Sequence, residues 1–137
     1  MKRILLCLIC IFSLLGSKAQ SYNELVEKAM DYTFKDSLQQ AEELFREALR
    51  LDPYNARNAL LFSNLGTVLK RQGKIDEAID SYTMALNITP YATAILLNRA
   101  TLYMEKNLTE KAYLDYCNVI DLSLIHISEP TRHSLIS

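Results

Sequence analysis

Tryptophan is absent from these 137 residues, glycine and proline occur three times each, cysteine three times and histidine twice. So little glycine excludes a collagen-like or glycine-linker chain, and so few helix breakers favour helices joined by short turns. No charge predominates, because 15 basic residues face 16 acidic ones for a net of −1. That balance leaves no electrostatic footprint for nucleic acid. Both histidines, His126 and His133, flank Pro130 near the end of the chain and share no helical face. With no further ligand beside them, no metal site is expected, and nothing calls for a cofactor. Neither a Ser-His-Asp or Cys-His set nor a phosphate-binding loop is present, and Asp76 and Glu77 read as acids offsetting a helix dipole at its start. The expectation is a chain that is not an enzyme. What is abundant is apolar: half of the residues are hydrophobic, too many for a disordered chain and enough for one small domain.

Residues 1–19 read as a cleaved signal peptide. Lys2 and Arg3 give a positive start, Ile4 to Leu15 is apolar apart from Ser13, and Ser17-Lys18-Ala19 places small residues before a cut at Gln20. A membrane-spanning helix needs about 20 apolar residues, so this run is too short for a permanent span. Cys7 and Cys10 lie inside it and leave with it. The expected location is therefore exported: the periplasm or cell envelope, or the outside of the cell. The mature chain keeps twelve basic and sixteen acidic residues and one cysteine, Cys117. A lone thiol makes no internal disulfide, so packing alone must hold the domain, and Cys117 reads as a small core residue.

From residue 20 to 122 the sequence repeats. Ala41, Phe45, Ala48 and Pro53 recur as Ala78, Tyr82, Ala85 and Pro90, and then as Ala112, Tyr116 and Val119, with Leu124 where a third proline is due. Each set follows a second pattern: Leu25, Ala29, Tyr32; then Phe62, Leu65, Gly66, Leu69; then Leu96, Ala100, Tyr103. Both half-patterns have helical spacing. Small residues at Ala29, Gly66 and Ala100, answered by Ala41, Ala78 and Ala112, let paired helices cross closely. Tyr32, Leu69 and Tyr103 are expected to fill the space between helices, and Phe45, Tyr82 and Tyr116 to pack toward the next repeat. Pro53 and Pro90 end the second helices. The turn inside each pair falls at Asp36, Gly73 and Asn107, residue types that tolerate a left-handed backbone.

This arrangement resembles the tetratricopeptide repeat, with copies at 22–55, 59–92 and 93–126 and an insertion at Ala56, Arg57 and Asn58. The resemblance implies an all-α fold of tandem helix-turn-helix repeats, about three in number. Two departures stand where repeat two has Leu65: Lys28 in repeat one and Arg99 in repeat three, each expected to lay its methylenes on the groove and send its charge to solvent. The resemblance further implies that a groove forms on the first helices, lined by Val26, Met30, Ser63, Asn64, Thr67, Lys70, Arg71, Leu97, Asn98 and Thr101. Asn64 and Asn98 lie on one line and either pair with a peptide backbone or satisfy neighbouring helices. Lys70 and Arg71 form a basic spot or the solvated end of a helix. Some members of the family hold a partner's C-terminal carboxylate in a clamp of Lys and Asn. Here Val26, Met30, Ala94 and Asn98 stand at most of those positions, which disfavours that use.

After Leu122 the pattern stops. Residues 123–137 have no helical period, contain Pro130, and are expected to be irregular, a strand or loop on the last helix. They are similar to the out-of-frame tails that sequencing adapters leave on unrelated translations, which would make the frame truncated. Two functions remain open. One is a non-catalytic adaptor of the cell envelope that takes a protein partner's peptide or helix in the groove, with no nucleic acid and no membrane span after signal cleavage. The other is the N-terminal input or assembly fragment of a larger sensor or surface-assembly protein.

Overall fold

The computed structural model describes residues 21–133, with side chains described to Ile125. The expected signal peptide, with Cys7 and Cys10, lies outside the described residues. Within them six helices follow one another and no strand occurs: α1 (residues 21–34), α2 (Leu38–Leu51), α3 (Asn58–Arg71), α4 (Ile75–Ile88), α5 (Thr93–Glu105) and α6 (Thr109–His133). None is long and apolar enough to cross a membrane. The helices pair as α1–α2, α3–α4 and α5–α6, and each pair packs on the next.

The turn inside each pair is the same device three times. Asp36 (φ 60°), Gly73 (φ 76°) and Asn107 (φ 59°) take the left-handed conformation. The next residue's N–H then reaches back five residues, Ser37 to the Tyr32 carbonyl (2.8 Å), Lys74 to Leu69 (2.9 Å) and Leu108 to Tyr103 (2.8 Å). This closes the helix end by satisfying a carbonyl that the helix leaves open. Between pairs, α2 and α4 stop at Leu51 and Ile88, two residues short of Pro53 and Pro90. The insertion at Ala56–Asn58 carries a polar fastening. Asn58 is buried, accepts a hydrogen bond from the Tyr22 hydroxyl (3.0 Å) and donates one to the Asp52 carbonyl (2.9 Å).

The crossing points lie where the small residues are. Ala29, Ala41, Ala78, Ala100 and Ala112 are completely buried. At Gly66 the approach is close, for a methyl there would lie 2.8 Å from the Tyr82 ring. Phe45, Leu69 and Tyr82 fill the core as expected, and Cys117 is half-buried.

Three expectations need correction. Tyr32 does not fill the space between helices but is over a third exposed, and the core of repeat one is built without it from Tyr22, Ala29, Ala41, Phe45 and Ala48. Arg99 does not send its charge to solvent. Its guanidinium donates to both carboxylate oxygens of the buried Asp115 (2.9 and 2.7 Å) and to the Thr83 hydroxyl (3.0 Å), so it ties repeat three to repeat two. The segment from Ser123 is not irregular: α6 continues unbroken to His133, through Pro130. A proline inside a helix withholds one N–H from the ladder, crowds the carbonyl four residues back and costs about 3 kcal/mol or more, which is why the sequence argued against this continuation.

Polar links run along the seam between repeats one and two. Arg71 donates to the Thr33 carbonyl (3.1 Å) and to Asp36 (2.6 Å), Gln72 to the Leu38 carbonyl (2.9 Å), and Lys74 to Glu42 (2.7 Å). Glu42 also accepts from Arg46 (2.9 Å). Burial alone would raise its carboxyl pKa, but these cationic donors outweigh burial and hold it below the ordinary value. Lys106 pairs with Asp76 across the second seam.

The two ends of the stack differ. Leu61, Leu65 and Val68 bury α3 against repeat one, but the same register positions on α1 hold Glu24, Lys28 and Asp31, all exposed. At the other end Ile120 is 57% exposed, whereas Leu86, its counterpart one repeat earlier, is 7% exposed beneath α5.

Candidate functional site

The first helices of the three pairs, α1, α3 and α5, share one face, and two notches indent it. The first, about 450 Å³, lies between α1 and α3 and is walled by Met30, Phe34, Asn64 and Thr67 over a floor of Phe45. Met30 is 50% and Phe34 92% exposed. The second, about 420 Å³, lies between α3 and α5 near their N-terminal ends and is lined by Leu60, Ser63, Ala92, Ala94 and Ile95. Helix α3 is the ridge between them.

Met30, Asn64, Thr67 and Arg71 are brought together in the first notch, and Ser63 falls in the second. Val26 is half-buried against the core. Leu97, Asn98 and Thr101 stand one repeat further on, on α5, in the register of Ser63, Asn64 and Thr67. The threonines turn inward on their own helices: Thr67 hydrogen-bonds the Ser63 carbonyl (3.1 Å) and the Tyr82 hydroxyl (3.0 Å), and Thr101 the Leu97 carbonyl (2.9 Å). Asn64 and Asn98 do otherwise. Among the described residues neither side-chain amide has a hydrogen-bond partner, so neither is spent on adjacent helices. The two members of the basic spot also part company. Arg71 is held by the turn of repeat one, whereas the Lys70 ammonium has no carboxylate partner among the described residues.

Phe34 and Leu60 line these notches and lie in the groove register that the resemblance implies, in line with Arg71 and Ala94, whereas Ala92 and Ile95 line the second notch from outside that register. Phe34 ends α1 with nearly its whole side chain in solvent. Ala92 and Ile95 needed the packing of α5 on α3. Among the described residues no group of three or more His, Cys, Asp or Glu is placed to hold a metal ion.

A family model described as tetratricopeptide repeat matches residues 18–90, more than half of the chain. The chain belongs to the tetratricopeptide repeat family. Among solved relatives, a tetratricopeptide repeat protein from Parabacteroides merdae is 48% identical, with a TM-score of 0.72 over 74% of this chain and 40% of its own. The human DnaJ homolog subfamily C member 7 is 40% identical over 77 residues, 56% of this chain. This chain spans only 16% of that relative's length. The first tetratricopeptide repeat domain of Spaghetti (RPAP3), solved bound to the HSP90 peptide SRMEEVD, has a TM-score of 0.68 over 86% of this chain and 95% of its own. At 21% identity that likeness is one of fold.

Proposed function

We propose that this tetratricopeptide repeat chain is a non-catalytic adaptor of the cell envelope that holds a protein partner's peptide or helix on the face of α1, α3 and α5. The observation that carries the reading is the pairing of two apolar notches with the unpartnered amides of Asn64 and Asn98 on one face. Hydrogen-bonding groups left open beside apolar hollows are what a docking polypeptide uses. The fold relative bound to an HSP90 peptide supports use of this architecture for peptides. Val26, Met30, Ala94 and Asn98 argue against capture of a carboxylate terminus, since none supplies a cation. The envelope location rests on the pattern of residues 1–19.

A photo-cross-linking residue at Thr67 or Asn98 of the intact chain, produced in its own organism, tests the reading, with Glu47 on α2 as control. Discrete adducts from the first two positions and none from Glu47 are expected, each containing a partner segment identifiable by peptide sequencing. No adducts, or equal ones from Glu47, refute it.

A second reading, the N-terminal input or assembly part of a larger protein, draws on the open outer face of α6 at Ile120. Reading the gene past codon 122 tests it, and an in-frame stop in clean sequence removes it.

A further inference from the structure

From the two notches and the ridge between them, we infer that the partner is an extended segment with two apolar side chains four residues apart, one seated in each notch. This rests on the first-helix face being the protein-binding surface. The notches flank α3, so crossing from one to the other traverses one helix spacing, ~10 Å. Their centres are also offset by about six residues along α3, or ~9 Å at the helical rise. The diagonal is ~13 Å, which an extended chain covers in four residues at ~3.3 Å each. Residues four apart in an extended chain point to the same side, so both anchors face the protein together.

The ridge decides between an extended segment and a helix. Asn64 walls the first notch and adjoins Ser63, which lines the second, so its amide lies under the middle of the crossing. That amide offers donors and an acceptor and has no partner among the described residues. An extended backbone has free N–H and C=O groups to meet it, whereas a helix has already paired its own. The apolar part of each lining, Met30, Phe34 and Phe45 in the first notch and Leu60, Ala92 and Ile95 in the second, sets the anchors as Leu, Ile or Met in size. Lys70, one turn beyond Thr67 and lacking a carboxylate partner, draws an acidic residue next to the anchor in the first notch more strongly than does Arg57 in the second, whose guanidinium already donates to the Asn23 side chain (3.1 Å).

The probes are acetylated and amidated decapeptides of Ser and Thr bearing two leucines two to six positions apart, with one Asp beside the first or second leucine. Binding to the intact 137-residue chain is read by fluorescence anisotropy. The separation of four is expected to bind at least tenfold more tightly than three or five. Met30→Asp and Leu60→Asp, both at exposed positions, should each weaken it at least tenfold with the helical circular dichroism unchanged. Met84→Asp, on α4 and outside both notches, should not. Lys70→Glu should remove the preference for where the Asp sits. Binding indifferent to separation overturns the inference, as does tighter binding by the same sequence locked helical with aminoisobutyric acid, or an equal loss from Met84→Asp. Absence of decapeptide binding while Thr67 and Asn98 still form adducts overturns this inference and leaves the adaptor reading standing. Absence of both removes the adaptor reading as well.

Discussion

Replacing Gly66 by alanine is expected to destabilise the protein, although alanine is the better helix former. On propensity alone Gly66→Ala would gain about 1 kcal/mol inside α3. The new methyl, however, would stand 2.8 Å from Cε1, 2.9 Å from Cδ1 and 3.1 Å from Cζ of Tyr82. That ring is 1% exposed and its hydroxyl is tethered to Thr67 at 3.0 Å, so it cannot swing clear. Overpacking of this kind costs about 2 kcal/mol, and pulling the ring off its tether costs about 1 kcal/mol more. The balance is a loss of about 2 kcal/mol, or ~10 °C in Tm for a domain of this size. The assay is a far-ultraviolet circular dichroism melt of wild type and variant. Repeats one and three carry alanine at this position, opposite a Phe45 that has no hydroxyl and a Tyr116 that is only half-buried. In a Tyr82→Phe background the penalty of Gly66→Ala should therefore fall by about half. An unchanged or raised Tm for Gly66→Ala would show that the ring has room, and the close crossing would lose its energetic meaning.

Asp115→Ala should cost about 3 kcal/mol in urea unfolding by stranding the Arg99 guanidinium, and adding Arg99→Leu, which restores the residue type of Leu65, should recover most of it. Because the folded protein lowers the Glu42 pKa, the stability this carboxylate contributes is present above the ordinary value of 4.5 and is lost as pH falls through its folded value. A Glu42→Gln variant should show a flatter loss of Tm in that acid range. Asn107→Val should lower stability by about 1 to 2 kcal/mol and Asn107→Gly should not, since only the former opposes a φ of 59°. In hydrogen exchange, amides of α6 should lose protection before those of α3 and α4, because α6 has a neighbour on one side only; α6 as the best-protected helix would refute this.

The repeat was legible because its cause is local. An alanine or glycine every time two helices cross, and Asp36, Gly73 and Asn107 where the backbone must turn left-handed, are constraints that act within one pair of helices. Tyr32 was misplaced because its register matches Leu69, while burial depends on what else already fills the gap. The Arg99–Asp115–Thr83 bond was hidden for a related reason. Its members are sixteen residues apart in each direction: Arg99 meets Asp115 only when α5 and α6 pair, and Thr83 only once two repeats have docked. The continuation of α6 was missed because periodicity reports a buried face, and Ser123, Leu124 and Ile125, with which it begins, are exposed. As for the site, the family register picked out Asn64, Thr67 and Met30, but the second notch required seeing Ala92 and Ile95 brought up against Leu60.

The unlike ends of the stack give the molecule a direction. If one copy met another nose to tail, Ile120 and its apolar neighbours would press on Glu24, Lys28 and Asp31, stripping water from three ionisable groups. Joining of that kind is what generates endless fibres when the rotation does not close. The charged first face thus works against head-to-tail joining of one copy's α6 to another copy's α1, although both are units made to pile on one another.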